Sequence, residues 1–288
     1  MACHLAIGWR GRQLLALGIA ALLLFIGSAW LPETRLQDCS AFWPCMSLYN
    51  TAVDGSLNPE AGSPVSSVGS SQPIPQCPDQ RFQMSRVVRE FTDAVTEDQD
   101  VLLEHYLSGW EELVKFMEAL GSVLGFISQD VTGKIGVVRE LALGGSDRAS
   151  GDAYRTLRSM IRMELARGIV NFRVKTASGC RTVLVLNRAL KWLELFLEKL
   201  GRDKRRSPSE LCREAYLQAL ARHHSWLMQR AAELAFLAVP ERPEFLHIVC
   251  ARDERGVARV LGSALPAIGR VYNLTRDTLA EHNMLNLP

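Results

Sequence analysis

The chain has 288 residues, of which 48% are hydrophobic and 22% charged; 33 Lys and Arg against 31 Asp and Glu leave a formal charge of +2. Ample apolar material and little net charge exclude a wholly disordered chain, and the near-neutral balance gives no push toward nucleic acid. A single apolar run approaches membrane length, which excludes a polytopic membrane protein.

That run extends from Gln13 to Trp30 without a charge, at the lower limit for a spanning helix. Arg10 and Arg12 precede it, and Glu33, Arg35 and Asp38 follow. The positive-inside rule then keeps the N-terminus cytoplasmic and sends the rest to the lumen or exterior. Gly27, Ser28 and Ala29 resemble a cleavage context. Residues 1–31 are therefore expected to be either a signal peptide or an uncleaved anchor. The expected location is a membrane of the secretory pathway, or outside the cell. Residues 32–80, rich in Ser, Pro and Gly, read as a disordered linker, leaving 81–288 as the globular part. Cys39, Cys45 and Cys77 follow the apolar run and suit disulfides in a luminal setting. With Cys3, Cys180, Cys212 and Cys250 also present, spacing leaves the pairing open. No C-x-x-C or paired His set accompanies them, so no metal is expected.

Beyond Phe82 the hydrophobic period is helical. Leu107, Trp110, Leu113, Val114, Met117 and Leu120 recur at three and four. Gly144–Gly145 is expected to break the chain, and Asp152 to open another helical stretch. Ser178–Gly179 precedes the most apolar helix, which Gly201 is expected to end as a C-terminal glycine. Ser207 and Pro208 predict a capped start to the next helix. Pro240 and Pro243 mark a turn. The last helix is expected from Val257 to Glu281, with Pro266 as a kink or break. Runs of period two are scarce, and the pattern predicts an all-α domain of about eight helices.

Asp130 and Lys134 stand four residues apart and share a helix face. Phe126, Ile127, Val131 and Ile135 surround them, so the pair is placed at the mouth of an apolar region. Gly133 between them permits close approach. Arg181, Val185 and Arg188 share a stripe of the apolar helix, where arginines need partners; an anion clamp is one reading, since guanidinium matches phosphate. His223 and His224 point to different faces and make a poor metal pair. No nucleophile elbow, H-E-x-x-H, P-loop or dinucleotide fingerprint is present, and neither an enzyme nor a cofactor is expected.

The stretches FISQDVTGK, SGCRTVLVLNRALKWLELFLE, ARHHSW and RVYNLTRDTLAEHNMLNLP resemble the glycolipid transfer protein superfamily over residues 82–288. The resemblance implies a two-layer helical sandwich enclosing one apolar lipid pocket. It implies sphingolipid transfer between membranes without ATP, with ceramide 1-phosphate as the expected ligand. It places Asp130 on the ceramide amide, Lys134 on the head group, His224 on the ceramide carbonyl, and Arg181 on the phosphate of the phosphate-selective branch. That branch has a second head-group Arg where this chain has Val185; Arg173 or Lys175 is the expected counterpart of a further upstream Arg. Trp226 and the run Lys204, Arg205, Arg206 are expected to touch the membrane. A tethered lipid sensor that holds but does not shuttle lipid is the competing reading. Known members act on the cytosolic face, which makes the cytosol the alternative location. Asn273–Leu274–Thr275 is a glycosylation sequon whose use would report luminal exposure.

Overall fold

The computed structural model describes residue 74 and residues 76–121, 124–143 and 152–288. All belong to the compact unit Gln72–Pro288. The apolar run at Gln13–Trp30, the cysteines Cys3, Cys39 and Cys45, most of the linker and the Gly144–Gly145 break lie outside the described residues. No helix among the described residues is long and apolar enough to cross a membrane.

Nine α-helices are described, in chain order α1 (Met84–Asp93), α2 (Leu103–Ala119), α3 (Leu124–Leu143), α4 (Leu157–Ala166), α5 (Gly179–Arg202), α6 (Pro208–Ala219), α7 (Trp226–Phe236), α8 (Arg242–Ile248) and α9 (Glu254–Glu281). Among the described residues, extended pairing is limited to isolated bridges Val95–Val101 and Leu102–Thr156. Helix α2 packs between α1 and α3, and α5 between α6 and α9. Contacts of α9 with α1 and of α3 with α5 join the two layers. A chain of rings crosses the interior: Phe82 lies 5.2 Å from Phe116, Phe116 5.9 Å from Phe245, and Phe245 6.2 Å from Phe196. Edge-on and tilted pairs of this kind add about 0.5–1.5 kcal/mol each beyond their buried area.

The local signals hold where their chemistry is local. Ser207 accepts from the Glu210 N–H and Pro208 takes the first turn of α6, as a cap followed by proline requires. Ser178 caps α5 by accepting from the Arg181 N–H.

One helix-end expectation is corrected, and of the two readings of Pro266, kink or break, the break falls. Gly201 does not end α5, which runs on to Arg202 with Asp203 as its cap. A Cβ at Gly201 would sit 3.2 Å from Leu261 Cδ1, so this glycine serves the close approach of α9. Arg242 instead closes the helix end, donating to the carbonyls of Leu200 and Asp203. Pro266 does not break the last helix, which is continuous from Glu254 to Glu281.

The start of the unit is pinned to its far end. Cys77 is bonded to Cys250, 173 residues away, with Cα atoms 5.6 Å apart. The Gln83 side chain accepts from the Cys77 N–H and donates to the carbonyls of Cys77 and Gln80. Gln80 donates to the His247 carbonyl at 2.9 Å. Asn273 of the sequon is exposed, whereas Thr275 is fully buried, so the folded helix closes this motif to modification.

Candidate lipid head-group site

The α3 face that meets the core carries Val131, Ile135 and Val138, all buried. Asp130, Gly133 and Lys134 fall on the outer side by the 3.6-residue period. Lys134 Nζ donates to Asp130 Oδ1 at 2.5 Å; the Asp130 side chain is 66% exposed. A Cβ at Gly133 would meet nothing within 4 Å, so the surface beside the pair is open.

His224 follows α6 and a one-turn helix, Ala221–His223. It is half-buried, and its Nδ1 lies 2.9 Å from the Tyr216 hydroxyl. Burial lowers the His224 pKa; Asp130 opposes the shift and Lys134 adds to it. The histidine is therefore an electrostatic neighbour of the α3 pair. Burial also pushes the Tyr216 hydroxyl up to about 12, helped by Glu233, so it stays protonated. A Tyr216 O–H that donates to Nδ1 leaves the Nε2–H free to donate elsewhere.

Arg181 opens α5. Its Nε donates to a main-chain oxygen of Pro288, the last residue of the sequence, at 2.5 Å, and Arg188 donates to the Leu285 carbonyl at 2.7 Å. Asn283, in the left-handed region at φ 58°, turns the chain after α9. Asparagine tolerates that conformation better than most residues, and the turn lets Met284–Asn286 pack back on α5. Val185 is half-buried between the two arginines. Arg173 and Lys175 are exposed on the loop that leads into α5.

The α5 N-terminus itself is filled from inside. Glu164, fully buried on α4, accepts from the Gly179 N–H at 2.6 Å, the Cys180 N–H at 3.0 Å and the Tyr154 hydroxyl at 2.8 Å. A helix N-terminus is a ready anion site, and here the anion is the protein's own carboxylate. A Cβ at Gly179 would come within 2.5 Å of Met160 Sδ, so glycine is required there. Sequence reasoning missed Glu164 and Tyr216, because no short-range pattern marks a partner that packing supplies.

Partial desolvation of its ring drives His223, beside His224, down to about 4, and Arg188, Arg222 and His224 add to the shift. The ordinary value in an unfolded chain is about 6.5. Acidification from pH 6.5 to 4 protonates the unfolded chain first, so this contribution to stability is present above 6.5 and lost across that window. The expected loss is of the order of 1 kcal/mol once solvent screening is allowed for. Thermal unfolding at pH 7 and 4.5 reads it, and His223→Gln is expected to flatten the dependence.

The expected membrane residues divide. Trp226 is 69% exposed at the start of α7, with Leu227, Leu234 and Leu237 also exposed along that helix. The Arg230 guanidinium lies 5.7 Å from the Trp226 ring centroid. Lys204, Arg205 and Arg206 follow the opposite end of α5 from Arg181, about 35 Å along a 24-residue helix at 1.5 Å per residue. Arg206 is held there by Asp203 and Glu214, so the run does not join the cluster around Arg181.

The family model described as glycolipid transfer protein matches residues 101–251. The ceramide-1-phosphate transfer protein of Danio rerio is 41% identical over 211 residues, covering 72% of this chain and 98% of that protein. The Homo sapiens protein of the same name is 38% identical over 215 residues, covering 72% and 97%. The crystal structure of the human protein in complex with 12:0 ceramide-1-phosphate superposes with a TM-score of 0.67 at 38% identity, covering 72% of this chain and 100% of that one. A fungal glycolipid transfer protein, HET-C2, at 21% identity and a TM-score of 0.57, shares the fold. With its two helical layers and these relatives, the chain belongs to the glycolipid transfer protein family.

Proposed function

We propose that this protein carries a sphingolipid, ceramide 1-phosphate, between membranes. The family is one of lipid transfer proteins rather than enzymes. The observation that carries the reading is the arrangement of Asp130, Lys134 and the Tyr216-oriented His224 as mutual neighbours at the edge of an apolar interior. Asp130 accepts hydrogen bonds from the ceramide amide and hydroxyl. His224 donates from Nε2 to the ceramide carbonyl. Lys134 and Arg181 neutralise the phosphate. The hydrocarbon chains enter between the layers, at about 0.8 kcal/mol for each CH₂ buried.

The test is transfer of labelled ceramide 1-phosphate and galactosylceramide between vesicles by the full chain, beside Asp130→Ala and Arg181→Ala. Faster transfer of the phosphate lipid is expected. Asp130→Ala should slow both lipids, and Arg181→Ala chiefly the phosphate lipid. Losing a hydrogen bond to a charged group costs about 1.5–3 kcal/mol, roughly ten- to hundredfold in affinity. Uptake without delivery would replace the carrier with the tethered sensor that the apolar N-terminal run suggests. Uptake of neither lipid would end the sphingolipid reading.

Docking to the bilayer is assigned to the exposed α7 ridge, since an indole sits well at headgroup depth. Trp226→Ala is expected to lower co-sedimentation with phosphatidylcholine vesicles while leaving the unfolding temperature unchanged. For location we propose the secretory pathway, on the luminal or outer face. A disulfide built into the domain supports an oxidising compartment, and the charge bias around the apolar run agrees.

A further inference from the structure

The last helix carries an arginine stripe with no acid in it. On α9 the exposed residues Arg255, Arg259, Gly262, Pro266, Arg270 and Asn273 follow at intervals of three and four, which sets them on one side of the helix. Val257, Leu261, Ile268 and Val271 are buried on the other. Between Glu254 and Asp277 the sequence holds four arginines and no carboxylate. Glu254 and Asp277 themselves pair with Arg242 and Arg276, and Asp253 caps the helix by accepting from the Gly256 N–H at 2.7 Å. On the neighbouring α5, Glu194 and Glu198 are taken by Lys191 and Arg202. Among the described residues, the guanidinium groups of Arg255, Arg259 and Arg270 make no hydrogen bond or ion pair.

The stripe suits an extended anionic surface rather than a small anion. Arg255 and Arg270 stand about 22 Å apart along the helix axis. Gly262 and Pro266 lie between them, and a Cβ at Gly262 would meet nothing within 4 Å, so the arginines stand above low, open ground. None of the exposed large apolar side chains is on α9, so this face makes contact by charge, without insertion. The α7 ridge is the converse, apolar and exposed. Helix α5 stands between α6 and α9, and α7 packs on α6, so the two surfaces face different sides of the domain.

The point where the chain enters narrows the occupant. Cys77 is bonded to Cys250, and the next residue, Ala251, packs on the first turn of α9, where a Cβ at Gly256 would lie 3.2 Å from Ala251 Cβ. The start of the described unit is thus held beside the exposed Arg252 and Arg255. The apolar run Gln13–Trp30 lies upstream of that entry, so a bilayer is the anionic surface for which the sequence itself makes provision. We propose that the Arg255, Arg259 and Arg270 face of α9 docks on the anionic phospholipid surface of a membrane, whichever lipid the domain carries, and gives the domain a second membrane face apart from the α7 ridge.

The full chain, with the photoreactive residue p-benzoyl-phenylalanine in place of Gly262, would be reconstituted with vesicles of phosphatidylcholine, alone or mixed with phosphatidylglycerol, and irradiated. Mass spectrometry reads lipid adducts at that position, and the same group in place of Pro266 gives an independent reading. Each arginine is expected to contribute about fivefold to docking, so adducts should rise by about tenfold or more in the mixed vesicles. Arg255→Gln/Arg259→Gln/Arg270→Gln should return them to the phosphatidylcholine level with the unfolding temperature unchanged, and the three Arg→Lys replacements should keep them. Salt at about 1 M, where the screening length is about 3 Å, should abolish the rise. Equal adducts in both vesicles, none in either, or a rise that survives the triple Gln replacement overturns the proposal. Heparin binding lost in the triple Gln variant, without lipid adducts in the parent, would reassign the face to a soluble polyanion and overturn it as well.

Discussion

Glu164→Ala is expected to destabilise the domain by about 3–5 kcal/mol, the range for removing one partner from a buried charged network. The carboxylate meets three donors, the Gly179 and Cys180 N–H groups and the Tyr154 hydroxyl. Truncation leaves all three buried without an acceptor, and each orphaned group costs about 1–3 kcal/mol. Met160, Tyr154 and the Gly179 backbone press closely around the site, so water has little room to replace the oxygens. In a domain of this size the loss corresponds to a fall of roughly 10 °C in unfolding temperature. Urea unfolding followed by circular dichroism measures it. Glu164→Gln keeps one acceptor oxygen and should cost less. A loss below about 1 kcal/mol in Glu164→Ala would mean that the α5 N-terminus finds other partners.

Removing the Cys77–Cys250 bond should cost about 2–5 kcal/mol. The closed loop is long, its ends 173 positions apart in sequence, and in the chain-entropy account long loops contribute most. Cys77 is buried, and the Gln83 and Gln80 hydrogen bonds depend on the same short segment. Reductant should lower the unfolding temperature of the wild type and leave Cys77→Ser/Cys250→Ser unmoved. The same pair tests location: alkylation of all free thiols as cells are lysed in denaturant, then reduction and labelling of the thiols released, should label both cysteines. Two cysteines already alkylated at the first step would place the domain in a reducing compartment and remove the support for a luminal site.

What could be read along the chain was what neighbouring residues decide. The Ser207–Pro208 start of α6 and the Ser178 cap need only residues within one turn, and the Asp130–Lys134 pair follows from helical spacing. Gly201 misled because a glycine that ends a helix and one that admits a neighbouring helix look alike in a sequence; Leu261, on α9, decides between them. The Cys77–Cys250 pairing, the Tyr216 contact of His224 and the Glu164 plug each join segments brought together by packing. Thr275 illustrates the limit from the other side, since the hydroxyl residue of a valid sequon is fully buried in the folded helix.

With Glu164 already satisfying the start of α5, the helix backbone has no vote in choosing the ligand. On the proposed reading, selection falls to side chains at positions 181 and 185, which stand outside that carboxylate's hydrogen bonds. Exchanging Val185 changes the rim without touching the hydrogen bonds between Glu164 and the start of α5. On that reading cargo and architecture are separable inheritances: a replacement at the rim changes the lipid while the buried contacts that set the fold stay as they were.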